Sequence, residues 1–148
     1  MPRSTTKKMP ARVWVHDPHA GGVKIPQIVQ HRVLARIEAY ANRRYKGKFI
    51  RLDILFRGTC CYIDAYCEPK LTPGWPPKDW HETREQMIER LRSTPTHLCR
   101  LRYFGNEDEW SLAFFTHSNE KYSPCCFENG TFFGTLEEAF DIGAMYLQ

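Results

Sequence analysis

The chain has 148 residues, of which 42% are hydrophobic and 14% aromatic. That is enough to bury a core without cross-links, and it excludes a disordered chain. No apolar run approaches the ~20 residues a membrane helix needs, and the basic start over residues 1–12 has no apolar stretch behind it, unlike a secretory signal; a cytoplasmic protein without a membrane partner is expected.

The formal net charge of +4 hides an asymmetry: twelve basic and two acidic residues up to Arg51, then nine basic and fifteen acidic. Such a chain offers a potential to an anionic partner or to another copy of itself, so a homo-oligomer is among the expected states.

Residues 1–23 read as a flexible basic arm, punctuated by Pro2, Pro10, Pro18, Gly21 and Gly22. A short edge strand over 12–16 and a turn over 16–19 are expected within it. The rest, 24–148, reads as a single α+β domain. A helix is predicted over 26–46, with Pro26 in its first turn and Gly47 closing it. Ile25, Ile28, Val29, Val33, Ile37, Tyr40 and Ala41 recur at helical spacing as its buried face, and Arg32, Arg36 and Arg43 share another.

Residues 50–67 alternate apolar and polar, break at Arg57-Gly58-Thr59, and alternate again, which predicts a β-hairpin. Ile50, Leu52, Ile54 and Phe56 with Cys61, Ile63, Ala65 and Cys67 form its core side. Arg51, Asp53, Leu55 and Arg57 with Cys60, Tyr62, Asp64 and Tyr66 form the other. Residues 68–80 are a Pro/Trp link in which Trp75 and Trp80 are expected to fold back on the core. Asp79 and Glu82 have capping-box spacing for a helix to about residue 92, with Met87, Ile88 and Leu91 as its stripe.

The last third predicts strands over 98–104, 110–116 and 122–127. Cys99, Leu101 and Tyr103 oppose Arg100 and Arg102 across the first; Trp110, Leu112 and Phe114 share a face of the second; Pro124 confines the third to an edge. Asn129-Gly130 signals a hairpin returning through 131–133. Thr135 and Glu138 form a capping box for a final helix striped by Leu136, Ala139, Phe140, Gly143, Ala144 and Leu147. The expected architecture is α+β: one antiparallel sheet of about five strands, centred on the 50–67 hairpin, with helices packed against it.

The run Arg100-Leu-Arg-Tyr-Phe-Gly105, then Trp110-Ser-Leu-Ala-Phe-Phe115 and Lys121-Tyr-Ser-Pro124, resembles the tail of an uncharacterised conserved family of small bacterial proteins. The likeness covers roughly residues 25–148. It implies a leading helix, a hairpin, a Pro/Trp link and a strand pair opened by tryptophan, and it assigns no residue a role.

Two constellations are candidates for function. Arg32, Arg36, Arg43, Arg44, Lys46, Lys48 and Arg51 make a basic stripe able to contact phosphates, although no helix-turn-helix, RNP motif or zinc finger accompanies it. The expected partner is nucleic acid or an acidic protein; alternatively the stripe meets Glu107, Asp108, Glu109, Glu137 and Glu138 of the same or another copy. The second constellation is Tyr62, Asp64 and Tyr66, the place for a polar pocket should the protein be a small enzyme.

The six cysteines lack metal-ligand spacing, and the vicinal pairs Cys60-Cys61 and Cys125-Cys126 point to opposite faces in a strand, so free thiols and no metal are expected. His97 and Cys99 are expected to share a strand face, but no nucleophile motif supports catalysis by them. Nor is there a nucleotide-binding glycine loop. The leading expectation is a non-enzymatic binding or regulatory protein without cofactor; the alternatives are a small enzyme and a self-association module.

Overall fold

A computed structural model describes residues 20–147. Most of the expected arm, including the strand over 12–16 and the turn over 16–19, lies outside the described residues. Among residues 20–25, Arg102 donates to the Gly21 carbonyl, Val23 N–H to Tyr103 O at 2.9 Å, and Ile25 N–H to Gly58 O at 3.0 Å. Gly22 lies so near the end of the third strand that a Cβ would come within 2.7 Å of Tyr103 O.

The elements are α1 (Gln27–Arg44), β1 (Arg51–Arg57), β2 (Cys60–Tyr66), α2 (Arg84–Arg92), β3 (Thr96–Tyr103), β4 (Trp110–Thr116), β5 (Lys121–Cys125), β6 (Phe133–Gly134) and α3 (Leu136–Gly143). The strands form one antiparallel sheet in the order β1-β2-β3-β4-β5, with β6 also paired to β4. The fold is α+β, as the alternation and capping signals require.

α1 and α3 pack on one face of this sheet. Val29, Val33, Ile37 and Ala41 of α1, four residues apart, meet Cys61, Ile63, Leu101, Trp110 and Leu112 of the strands and Leu136, Ala139 and Phe140 of α3 in one continuous core. Ile28, expected in that stripe, is 60% exposed because the row at 29, 33, 37 and 41 already faces the sheet. Pro26 is the cap position just outside α1, not a first-turn residue. Thr135 caps α3 through the expected reciprocal bonds with Glu138.

The 58–59 turn sets the first hairpin in the expected register, Arg57 opposite Cys60 through Arg51 opposite Tyr66. Ile50 is not in the core: it lies beyond the strand and half exposed. α2 is capped by Thr83 with Gln86, not by Asp79 with Glu82, since Thr-x-x-Gln offers both reciprocal bonds. Trp75 and Trp80 do not return to the core. They remain exposed and pack on each other, ring centroids 5.3 Å apart. The 131–133 return does not extend a hairpin with β5; β5 and β6 lie end to end along β4.

One irregularity matters for the opposite face. Ile63 pairs with Cys99 but Asp64 pairs with His97, leaving Leu98 as an extra residue. The bulge turns both Leu98 and Cys99 into the core and sends His97 outward. Gly143 of α3 approaches the bulge so closely that a Cβ there would sit 2.8 Å from Leu98 O.

Candidate functional site

Alternation along β2, β3 and β4 leaves Tyr62, Asp64, His97, Arg100 and Phe115 on the face away from α1 and α3. Tyr122 joins them from β5, opposite Phe115. These side chains touch one another. His97 Nδ1 is 2.9 Å from Asp64 Oδ1, with the two side chains 29% and 17% exposed. The His97 ring lies against Phe115, centroids 4.6 Å apart, and Tyr122 packs edge-on to both Phe115 and Tyr62 at 5.4 and 5.5 Å.

Guanidinium groups cap the cluster. Arg100 lies 5.4 Å from the centre of the Tyr122 ring and Arg57 5.8 Å from that of Tyr62, each contact worth ~0.5–1 kcal/mol at a wet surface. Burial, reinforced by the Asp64 carboxylate, pushes the Tyr122 phenol well above its ordinary value, so it stays a protonated donor. In neutral His97 the Nδ1 hydrogen goes to Asp64, which leaves Nε2 as an acceptor. The outer face therefore joins aromatic surface, cations and an oriented imidazole.

Of the predicted pocket residues, Tyr62 and Asp64 belong to this cluster. Tyr66 stands at the end of β2 beneath Arg51, whose guanidinium lies 3.8 Å from the ring centre while also bonding Asp53 at 2.7 Å. His97 and Cys99, expected on one face, are on opposite faces because of the bulge, and the two form no pair. Cys99 and Cys61 are fully buried; burial raises Cys61 well above its ordinary value and pushes Cys99 up to about 12. All six cysteines are free thiols. Among the described residues no three His, Cys, Asp or Glu side chains are placed to hold a metal ion, and no helix is long and apolar enough to cross a membrane.

The predicted basic stripe divides in two. Arg32 donates to Glu107 at 2.6 and 3.1 Å. Arg36 grips Glu137 with two bonds of 2.7 and 2.8 Å and lies 3.0 Å from Asp108. These bonds hold the Glu137 and Glu107 carboxyls below the ordinary range. The first half of the stripe thus ties α1 to the 105–109 turn and to α3.

Beyond it, Arg43 lies over the Tyr40 ring and Arg44 is 3.5 Å from Asp141, which also accepts from the Tyr40 and Tyr45 hydroxyls. Lys46 and Lys48 make no ion pair among the described residues. Lys48 and Lys70 line a shallow concavity of about 170 Å³ between 47–50 and 68–70, which also contains Glu68.

The sequence reading missed His97 and Tyr122 as members of the cluster. A signal was available: Leu98-Cys99 is a pair of consecutive apolar residues in an otherwise alternating strand, which is how a bulge reads. No family model matches this chain, and no curated protein or solved structure matches it.

Proposed function

We propose that the protein is a non-enzymatic binding module whose outer sheet face takes an anionic partner, single-stranded nucleic acid in the first instance. One observation carries this reading: Tyr62, His97, Phe115 and Tyr122 are gathered with Arg57 and Arg100 on the sheet face that the two packing helices leave uncovered. Rings supply stacking surface for bases of any sequence, at roughly 1–3 kcal/mol per base, and guanidinium groups meet the phosphates. Arg43, Lys46, Lys48 and Arg51 extend the positive charge along the α1–β1 connection. Arg32 and Arg36 have a different part, bracing the fold against Glu107, Asp108 and Glu137.

The test is fluorescence anisotropy with a labelled mixed-sequence single-stranded oligonucleotide at low salt. Binding should weaken steeply as salt rises. Tyr62→Ala with Tyr122→Ala should weaken it by roughly tenfold or more, and Arg57→Ala should flatten the salt dependence. No binding at low salt overturns the proposal.

A second reading rests on the 2.9 Å contact between His97 and Asp64, the arrangement by which a carboxylate orients an imidazole for proton transfer. It makes the protein a small enzyme with His97 as the base. The readings part at His97→Gln, which removes the base but keeps polar bulk: turnover disappears under the enzyme reading, whereas oligonucleotide affinity changes little under the binding reading.

A further inference from the structure

We infer that two copies of this chain join through β1, antiparallel and edge to edge, with Leu55 of each copy meeting on the two-fold axis. β1 is an outer strand of the sheet. The two-residue turn makes Arg57 and Cys60 a hydrogen-bonded pair, so Arg57, Leu55 and Asp53 direct their backbone groups to β2. Phe56, Ile54 and Leu52 consequently direct theirs to the free edge. The edge is seven residues long and exposes apolar side chains on both faces: Leu55, 55% exposed, stands between charged neighbours on the outer face, and the core-facing Leu52, Ile54 and Phe56 are only half-buried. Proteins blunt such an edge with proline, a bulge, inward-pointing charge or charged side chains along it; within Arg51–Arg57 only the last are present, as Arg51, Asp53 and Arg57, so the register of any pairing has to match their charges.

Charge selects the occupant and the register. The outward side chains read Arg51, Asp53, Leu55, Arg57. Centring a two-fold on Asp53 opposes two aspartates, and centring it on Ile54 opposes Arg51 to Arg57. Centring it on Leu55 places Asp53 against Arg57 twice, flanking Leu55 against Leu55. The same register makes Ile54 and Phe56 hydrogen-bonded pairs, using the groups that face the free edge. Of these three, it alone satisfies both charge and backbone. Gly58 O already accepts from Ile25 N–H, which ends the ladder there. Arg57 has no carboxylate partner among the described residues, so the pairing supplies one.

The experiment is sedimentation velocity across protein concentration, with the mass read directly. Wild type should shift from monomer to dimer as concentration rises. Asp53→Arg alone and Arg57→Asp alone each put like charges opposite one another twice and should weaken the dimer by roughly tenfold or more. An equimolar mixture of the two variants should recover a dimer, because each then meets its complement, and so should the double swap carrying both changes. Leu55→Lys, exposed and harmless to the fold, should give a monomer. A wild type that stays monomeric up to about 1 mM, a Kd too weak for a specific dimer, overturns the inference. So does a dimer indifferent to these variants, or a mixture that stays monomeric.

Discussion

The two faces of the sheet solve different problems with the same strands. On the inner face Trp110, Phe140, Ile63, Leu101 and Leu112 are almost completely buried, and the polar bonds there are few and directed, such as Trp110 Nε1–H to Glu107 O at 2.7 Å. On the outer face the rings are only partly covered, and each touches a charged or titratable neighbour. Burial without charge stabilises the fold; half-burial beside charge keeps rings and cations together at the surface, the combination on which the proposed binding rests. The lesson is that aromatic content alone, 14% of this chain, does not identify a binding surface. What separates the faces is what the aromatics are next to.

Substitutions should break this contrast in a graded way. Trp110→Ala, on the inner face, should cost about 4 kcal/mol, since it empties a fully enclosed site and leaves the Glu107 carbonyl only the longer bond from Arg36; chemical denaturation measures it. Tyr62→Ala on the outer face should cost roughly 1 kcal/mol or less in the same measurement, while weakening oligonucleotide binding. Equal costs for the two would erase the distinction.

Between these extremes lies the brace. A double-mutant cycle of Arg36→Met and Glu137→Gln should give a coupling of about 1 kcal/mol, modest because both side chains remain about one-third exposed. The same pair sets an acid limb. The bond from Arg36 holds Glu137 below the ordinary glutamate value of 4.5, so its contribution is complete above that value and drains away as pH falls through the depressed folded value. Arg36→Met should flatten stability against pH in that window. The smallest effect sharpens the contrast chemically: exposed Cys126 should react with a thiol reagent in the native protein, whereas Cys61 and Cys99 react only on unfolding.

Much of the fold was legible in the residues. The two-residue turn at 58–59, the alternation around it, the Thr135 and Glu138 cap and the Pro124 edge all act within a few residues, and local chemistry of that kind is written locally. What escaped depends on partners distant in sequence. For Arg32 and Arg36 the acids were named only as one of two alternatives, in this copy or another, because they lie 75 and 101 residues away and spacing cannot choose between them. Ile28 looked buried because helical spacing gives a face but not its width. Trp75 and Trp80 satisfy each other in the link, a solution that large rings rarely advertise in one dimension. The candidate site was half visible: Tyr62 and Asp64 follow from alternation, while His97 and Tyr122 needed the bulge in β3 and the order of the strands.

That bulge also makes the sheet a mechanical linkage. Leu98 swells toward α3, where only the missing side chain of Gly143 leaves room for its carbonyl, and the same extra residue aims His97 at Asp64 on the far side. A methyl group added at Gly143 should push on Leu98 from beneath, and the expected result above is a shift of the imidazole. The outer face can therefore be adjusted from a position that no partner docked there would touch, and the His97 ring resonances in Gly143→Ala would register the movement.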